Sequence, residues 1–347
     1  MLQSLSLSAL QEGSWFKLIC GASFQHLPSV RSLSLVYALA GADCIDVAAD
    51  EATVASAQEG LAVAERLGGR RPWLMVSLND AEDPHFRKAK FDSVACPQSC
   101  PRPCEQICPA DAITFKAEFS GVLEPRCYGC GRCLPVCPSA LITAQAYVYA
   151  PDQIVQVLLG LAIDAVEIHT QPGQLVQFRR LWQALTPLIP RLKLVAVSCP
   201  DGEDLREYLQ ALWTHMQPQL EQWKCDLLWQ TDGRPMSGDI GDGATRAAVR
   251  LGQKVSSFDL PGYVQLAGGT NAHTVAKAKA AGLDALAGVA YGSYARALVA
   301  PWLEVAGARL EEHPQLLQQA VQQARSLVQQ LKPLDKGRPV AVFCQPS

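Results

Sequence analysis

Charge of either sign is scarce in this chain and nearly balanced: 30 Lys and Arg stand against 33 Asp and Glu, for a net charge of −3 at pH 7. That balance leaves no basic field to draw in nucleic acid or an anionic membrane. Met1 to Ser14 contain no basic segment followed by a long apolar one, so no secretory leader is expected. The longest apolar stretch, Ile154 to Val166, is broken by Gln156 and Asp164. It is too short to cross a bilayer. What remains is a cytoplasmic chain, in a compartment where thiols stay reduced. With 49% hydrophobic residues, 347 residues can bury one large core carrying an insert, or two or three smaller cores.

Cysteine is what the chain has in excess. Eight of its 13 cysteines fall between Cys96 and Cys137, in two runs that each end in Cys-Pro. The second run, Cys127-x2-Cys130-x2-Cys133-x3-Cys137-Pro138, has the spacing of a bacterial ferredoxin arm. The first, Cys96-x3-Cys100-x3-Cys104-x3-Cys108-Pro109, is a stretched relative of it. Each iron of a [4Fe–4S] cluster takes one thiolate, so eight cysteines supply two clusters. In two-cluster ferredoxins the last cysteine of each arm ligates the other cluster. On that rule Cys127, Cys130, Cys133 and Cys108 hold one cluster, and Cys96, Cys100, Cys104 and Cys137 hold the second.

Local chemistry agrees with a wrapping loop. Pro97, Pro101 and Pro103 prevent the four-residue spacing of the first run from being one helix face. Gly129 and Gly131 let the backbone pass close to a cluster and offer N–H groups to it. The segment Cys108–Ile113 echoes Cys137–Ile142, as two halves of a pseudo-symmetric unit would, and Ile113 and Ile142 would help to cover the clusters. Structural zinc favours paired Cys-x2-4-Cys knuckles, which these runs match poorly. Disulfides need an oxidising compartment, for which nothing in the sequence argues.

Around this block, short apolar strands alternate with amphipathic helices. Eight strands are predicted at Lys17–Gly21, Cys44–Ala48, Trp73–Leu78, Ala165–His169, Leu192–Ser198, Asp226–Gln230, Tyr263–Ala267 and Asp284–Val289. Helical patterns follow at Pro28–Ala40, Thr53–Leu67, Gln174–Leu185, Asp204–Gln217 and His273–Ala281. Nearly continuous apolar strands joined by helices argue for a buried parallel sheet. Eight units argue for closure into a (β/α)8 barrel over an open doubly wound sheet. The expected organisation is barrel over 1–82, a ferredoxin-like insert over 83–149, barrel again over 150–312, and a C-terminal helix (Pro314–Leu331) and tail over 313–347. An insert after the third strand lies at the C-terminal mouth, where barrel active sites form.

Two glycine loops end the last two units, Leu266-Ala-Gly-Gly-Thr270 and Gly288 to Arg296. Gly268, Gly269, Thr270, Gly292 and Ser293 could approach a phosphate, as the phosphate grip of FMN-dependent barrels does. They could equally serve tight turns alone. Cys20, Asp46, Asn79, Glu167, His169, Ser198, Cys199 and Gln230 fall at strand ends and are candidates for a pocket below the clusters, with His169 an acid–base candidate. No spaced partner gives any of them a catalytic role. Cys20, Cys44, Cys199, Cys225 and Cys344 are isolated and read as small buried hydrophobes.

Several segments carry a family resemblance. Trp15–Pro28, Ala40–Ala49, Cys96–Cys104, Cys127–Cys137 and Leu266–Asn271 together resemble the cyanobacterial light-dependent period (LdpA) family, over nearly the whole chain. The resemblance implies a cytosolic iron–sulfur protein that reports redox state, a proxy for light, to the circadian clock. It implies partners among clock proteins, including the oscillator component KaiA and the input kinase CikA. The competing expectation is an oxidoreductase, with FMN on the glycine loops and the clusters feeding it electrons.

Overall fold

Strands buried at every position require a sheet covered on both faces, and Cys44–Ala48 and Trp73–Asn79 are buried throughout. The structure, a computed structural model, describes residues 5–234, 241–307 and 309–332. Its strands are β1 (Trp15–Ile19), β2 (Cys44–Ala48), β3 (Trp73–Asn79), β4 (Arg87–Lys90), β5 (Ile113–Phe115) and β6 (Ser120–Val122). They continue with β7 (Thr143–Ala146), β8 (Ala165–His169), β9 (Leu194–Pro200), β10 (Asp226–Asp232), β11 (Tyr263–Ala267) and β12 (Gly288–Tyr291). Eight of them close into a barrel in the order β1-β12-β11-β10-β9-β8-β3-β2. Every neighbouring pair in the barrel is parallel.

A helix follows each barrel strand: Leu27–Ala40, Glu51–Arg66, Pro151–Leu159, Leu175–Leu185, Leu205–Trp223, Thr245–Ser256, Thr274–Ala280 and Ser293–Ala306. Asp50 caps the second of these by accepting from the Thr53 backbone N–H at 2.9 Å. The expected (β/α)8 barrel is therefore present. Strand limits shift in places. β1 begins at Trp15, two residues before the expected start, because Trp15 N–H already bonds the Ala287 carbonyl. The last strand begins at Gly288, with Asp284 and Ala285 in the preceding turn. The C-terminal helix runs over Pro314–Val328, buries Ala320, Ala324 and Leu327, and packs against the helices Leu27–Ala40 and Ser293–Ala306. Cys344 and the tail from residue 333 lie outside the described residues.

Side chains alternate across each strand, so the barrel interior is built in layers. Leu10, Trp15, Cys44, Trp73, Met75 and Leu228 form an apolar floor. Trp15 and Trp73 meet edge to face at 5.5 Å. The short helix Leu5–Gln11 closes this end. Further along every barrel strand but β12 the lining turns polar.

The insert lies between β3 and the helix Pro151–Leu159. It holds two antiparallel ribbons, β4 with β7 and β5 with β6. Asn79 clamps the returning chain, donating to the Tyr147 carbonyl at 2.7 Å and accepting from Tyr149 N–H at 3.2 Å. Phe86 packs edge-on against Tyr147, Tyr149 and His169, with centroids 5.9, 5.9 and 5.1 Å away. Lys88 Nζ donates to Gln25 Oε1 and to the Glu124 carbonyl, both at 2.8 Å.

Gly60 sets how closely the first two barrel helices cross: a Cβ there would sit 2.2 Å from the Arg31 carbonyl oxygen. Gly60→Ala should destabilise the protein by about 1–3 kcal/mol through overpacking. Chemical denaturation measures this, and an unchanged midpoint would mean the helices do not meet there.

Candidate functional site

Cys108, Cys127, Cys130 and Cys133 line one cleft of about 430 Å³ at the inner side of the insert. The Ala89 N–H donates to Cys127 Sγ at 3.3 Å and the Ala112 N–H to Cys108 Sγ at 3.2 Å. Burial, then the nearby Cys130, Cys127 and Cys108, pushes the Cys133 thiol up to about 12. Such a set gives up its protons only when a strongly positive centre bonds the sulfurs. Gly129 and Gly131 adopt φ of +74° and +75°. A Cβ on Gly129 would be 2.3 Å from the Arg87 carbonyl oxygen, so the turn that gathers these thiols needs glycine there.

The other four thiols gather on the outward side. Cys100, Arg102 and Cys137 act electrostatically on Cys96, and Cys137 and Cys100 act on Cys104. Burial opposes ionisation of Cys137, but the backbone N–H groups of Leu141, Ile142, Ser139 and Ala140 prevail and lower its thiol. Ile113 and Ile142 are buried with Cys104, Cys127 and Cys133 in one cluster. Every described cysteine is a free thiol. Four thiols around one cleft, with backbone donors on their sulfurs, are the donor set that an iron–sulfur cluster requires.

A second cleft, of about 760 Å³, opens at the C-terminal mouth of the barrel. Its floor is a buried ionic network. Lys17, from the middle of β1, bonds Glu167 Oε2, lies 3.2 Å from Asp46 Oδ2 and donates to Gln230 Oε1 at 3.0 Å. Gln230 donates to Glu167 Oε1 at 2.6 Å and Ser198 Oγ at 3.1 Å, and accepts from Gln265 at 2.6 Å. Ser77 donates to Asp46 at 2.8 Å. His169 Nε2 lies 2.9 Å from Glu167 Oε1.

Electrostatics follow from this packing. Burial opposes charge on Lys17, yet Asp46 and Glu167 hold its ammonium well above the ordinary range. Burial raises Asp46 to about 6 against the pull of Lys17. Burial also works against ionised Glu167, but Lys17 and His169 bring it down to about 2. Despite burial, Glu167, Asp83 and Asp232 lift His169 to about 9.

Gly268, Gly269, Thr270, Gly292 and Ser293 all line this cleft. The fold itself accounts for two of them. Gly268 and Gly269 have φ of +68° and +86°, and a Cβ on Gly268 would lie 2.0 Å from Asp232 Oδ1. The Thr270 hydroxyl is committed to the Ala290 carbonyl at 2.6 Å. Gly292 differs, since a Cβ there would meet nothing closer than 3.8 Å. It precedes the helix Ser293–Ala306, whose first turn has no side-chain cap. Arg296 stands beside it, donating to Ile19 and Cys20 carbonyls at 3.0 and 2.8 Å and to Ser293 Oγ at 3.0 Å.

Of the strand-end candidates, Asp46, Glu167, His169, Ser198 and Gln230 join the network. Asn79 clamps the insert, and Cys20 and Cys199 are buried in the core outside the barrel lining. Sequence reasoning passed over Lys17, Asp232, Asp83, His85, Tyr128 and Arg296. A lysine amid Trp-Phe-x-Leu-Ile was the available signal for the first. Tyr128 lines both clefts, and the Arg296 guanidinium stacks over its ring at 4.1 Å.

Fold and thiols together define an iron–sulfur protein whose ferredoxin-like insert sits on a (β/α)8 barrel. Residues 96–148 match the LdpA Fe-S cluster-binding domain, and residues 157–330 match the Light dependent period A C-terminal domain. The chain belongs to the Light dependent period A family. It is 54% identical over 342 residues to Light dependent period A of Synechococcus elongatus, covering 96% of this chain and 95% of that one. A shorter likeness joins it to the ferredoxin-type protein NapF of Haemophilus influenzae, 45% identical over 47 residues, 12% of this chain and 27% of that protein. Among solved structures it is similar to the tryptophan synthase alpha subunit of Legionella pneumophila, with TM-score 0.46 and 11% identity, covering 94% and 97% of the two chains.

Lys17→Met would leave Glu167 and Asp46 as buried carboxylates without their cation, and should cost about 3–5 kcal/mol of stability. Adding Glu167→Gln should recover part of that loss. Equal stability of Lys17→Met and wild type in denaturant melts would exclude the network.

Proposed function

We propose that this protein is an iron–sulfur redox sensor that relays cellular redox state, and through it light, to the circadian clock by way of protein partners. Cys108, Cys127, Cys130 and Cys133 would hold one [4Fe–4S] cluster, and Cys96, Cys100, Cys104 and Cys137 the second. When bound, the clusters supply one-electron storage. The observation that carries the reading is the division of the thiols into an inner set against the barrel mouth and an outer set beside exposed loops. Val94, two residues before Cys96, is 91% exposed. The loop from Asp92 to Gln98 therefore offers a partner a surface tied directly to the outer thiols. A charge change at those sulfurs would alter that surface by local electrostatics. Membership of the Light dependent period A family supports the clock as destination, with KaiA and the input kinase CikA as partners. A cytoplasmic site of action fits this reading. No helix among the described residues is long and apolar enough to cross a membrane.

One observation favours a second reading, an FMN- and cluster-dependent oxidoreductase. The mouth cleft joins the uncapped helix start at Gly292 and Ser293 to the inner thiols through Tyr128. There the phosphate of FMN would rest on backbone N–H groups beside Arg296, while Lys17 and Glu167 would keep the floor charged and closed to solvent.

Protein purified without oxygen should release about eight iron and eight sulfide per chain on denaturation, with no flavin. Cys133→Ser should remove about half of both and abolish any dependence of KaiA or CikA binding on added dithionite. Flavin in equal amount to protein would transfer the function to the oxidoreductase. Redox-responsive binding that survives in a cluster-free variant would overturn the sensor.

A further inference from the structure

Outside the thiols, one group of side chains has the make-up of a metal site. Asp83 and His85 lie on the segment that leads from β3 into the insert, and His169 ends β8. One donor atom from each lies within 4.8 Å of the other two. His85 Nδ1 is 2.7 Å from Asp83 Oδ1, and His169 Nδ1 is 3.7 Å from that same oxygen. The two rings stand with centroids 4.7 Å apart, tilted by 54°. Both imidazoles thus turn the same nitrogen towards one carboxylate.

The far nitrogens are held as well. His169 Nε2 faces Glu167 Oε1 at 2.9 Å, and His85 Nε2 faces Asp232 Oδ2 at 3.3 Å. A carboxylate at Nε2 accepts its N–H, which leaves Nδ1 of a neutral ring as a bare lone pair. A metal ion bound there would take both Nδ1 lone pairs and the Asp83 oxygen together. Carboxylate-backed histidines converging on a third donor are the arrangement that orients metal-bound imidazoles. Glu167 is itself fixed by Lys17 and Gln230.

Asp232 supplies an independent observation. It is 4% exposed, and its Oδ1 is buried with no hydrogen-bond partner. An orphaned carboxylate oxygen costs free energy unless water or a bound molecule in the cleft satisfies it, so the cleft beside the group is built to hold a polar occupant. His85, His169, Glu167 and Asp232 all line the mouth cleft, so one side of the group faces open space.

We propose that Asp83, His85 and His169 bind one divalent transition-metal ion of the zinc class, backed by Glu167 and Asp232, with a coordination position open to the barrel cleft. Two imidazoles and one carboxylate are a donor set that such ions take with a remaining site for water or ligand. Metal–donor bonds of about 2.0–2.1 Å in a tetrahedral site need the His85–Asp83 contact to open to roughly 3.3 Å, a shift asked of the His85 side chain, which is 17% exposed. The open position would take an oxygen ligand, a carboxylate or phosphate in the cleft. The ion would also staple the root of the cysteine-bearing insert to β8, so that its loading sets how the insert meets the barrel.

The test is a Co²⁺ titration of the full chain with its clusters intact, after brief EDTA treatment and desalting, followed by competition with Zn²⁺. The expected result is one Co²⁺ per chain, with visible d–d bands, no sulfur-to-metal charge-transfer band in the difference spectrum, and displacement by one Zn²⁺. His85→Ala should weaken uptake by at least about 100-fold, and the near-isosteric Asp232→Asn by about 10- to 100-fold. Failure of the wild-type chain to take up Co²⁺ or Zn²⁺ would overturn the site. Uptake with a thiolate charge-transfer band, or uptake unchanged in a folded His85→Ala chain, would overturn it equally.

Discussion

The barrel is organised around one buried ammonium group. Lys17 is fully buried, and taking an ion of that size out of water costs several kcal/mol unless charges and hydrogen bonds replace its solvent. The replacement comes from around the barrel: Asp46 on β2, Glu167 on β8 and Gln230 on β10 reach Lys17 itself. Ser77 on β3, Ser198 on β9 and Gln265 on β11 then satisfy those groups. Seven of the eight strands contribute to a single polar layer as a result. Beneath it lies the tryptophan floor, above it the open cleft. This layering turns the charged groups towards the C-terminal mouth, the face at which barrels bind ligands.

That mouth is also where the insert must sit. β3 and β8 pair directly, in register from Met75 with Ala165 to Asn79 with His169. The chain therefore leaves the barrel at Asn79 and comes back to the side it left, and Asn79 holds both the Tyr147 carbonyl and the Tyr149 N–H as it returns. Gln25 N–H bonds the Pro125 carbonyl at 2.9 Å, tying the loop after β1 to the segment just before Cys127. The inner thiols are thus fixed against the mouth by contacts on both flanks.

Local signals in the sequence carried much of this. Thiol spacing marks the cluster domain because wrapping a small inorganic core is a local event, and continuous apolar runs mark the strands because both faces of each are covered. What escaped was non-local or broke a pattern. The apolar pattern starts the first strand at Lys17, yet Lys17 sits in the middle of β1 and is neutralised by residues far along the chain. Asp83 and His85 meet His169 only through the β3–β8 pairing, which no short window contains. Gly268 shows the opposite limit: its sequence context admits a phosphate loop or a turn, and its contact with Asp232 gives the turn a sufficient reason. Gly292, with free space where a Cβ would go, keeps the ligand reading open to experiment.

Tyr128 is the place where the two halves of the molecule become one unit. Its neighbours in sequence are Cys127 and Gly129, so any rearrangement at the inner thiols moves its ring. That ring carries Arg296, whose guanidinium holds the end of β1 through the Ile19 and Cys20 carbonyls and the start of the last barrel helix through Ser293. Gly21 borders this stack with φ of +123°, a backbone conformation that favours glycine. Packed contacts of this kind shift between discrete arrangements and do not stretch. A change of charge at the inner thiols would therefore reach the mouth cleft as a movement of Arg296, with no need for a ligand to carry it. On the sensor reading that movement would tie the barrel mouth to the inner thiols, while the outer thiols and the loop beside them face the partner. On the oxidoreductase reading Arg296 would stand beside the phosphate, and the same stack would join that phosphate site to the inner thiols.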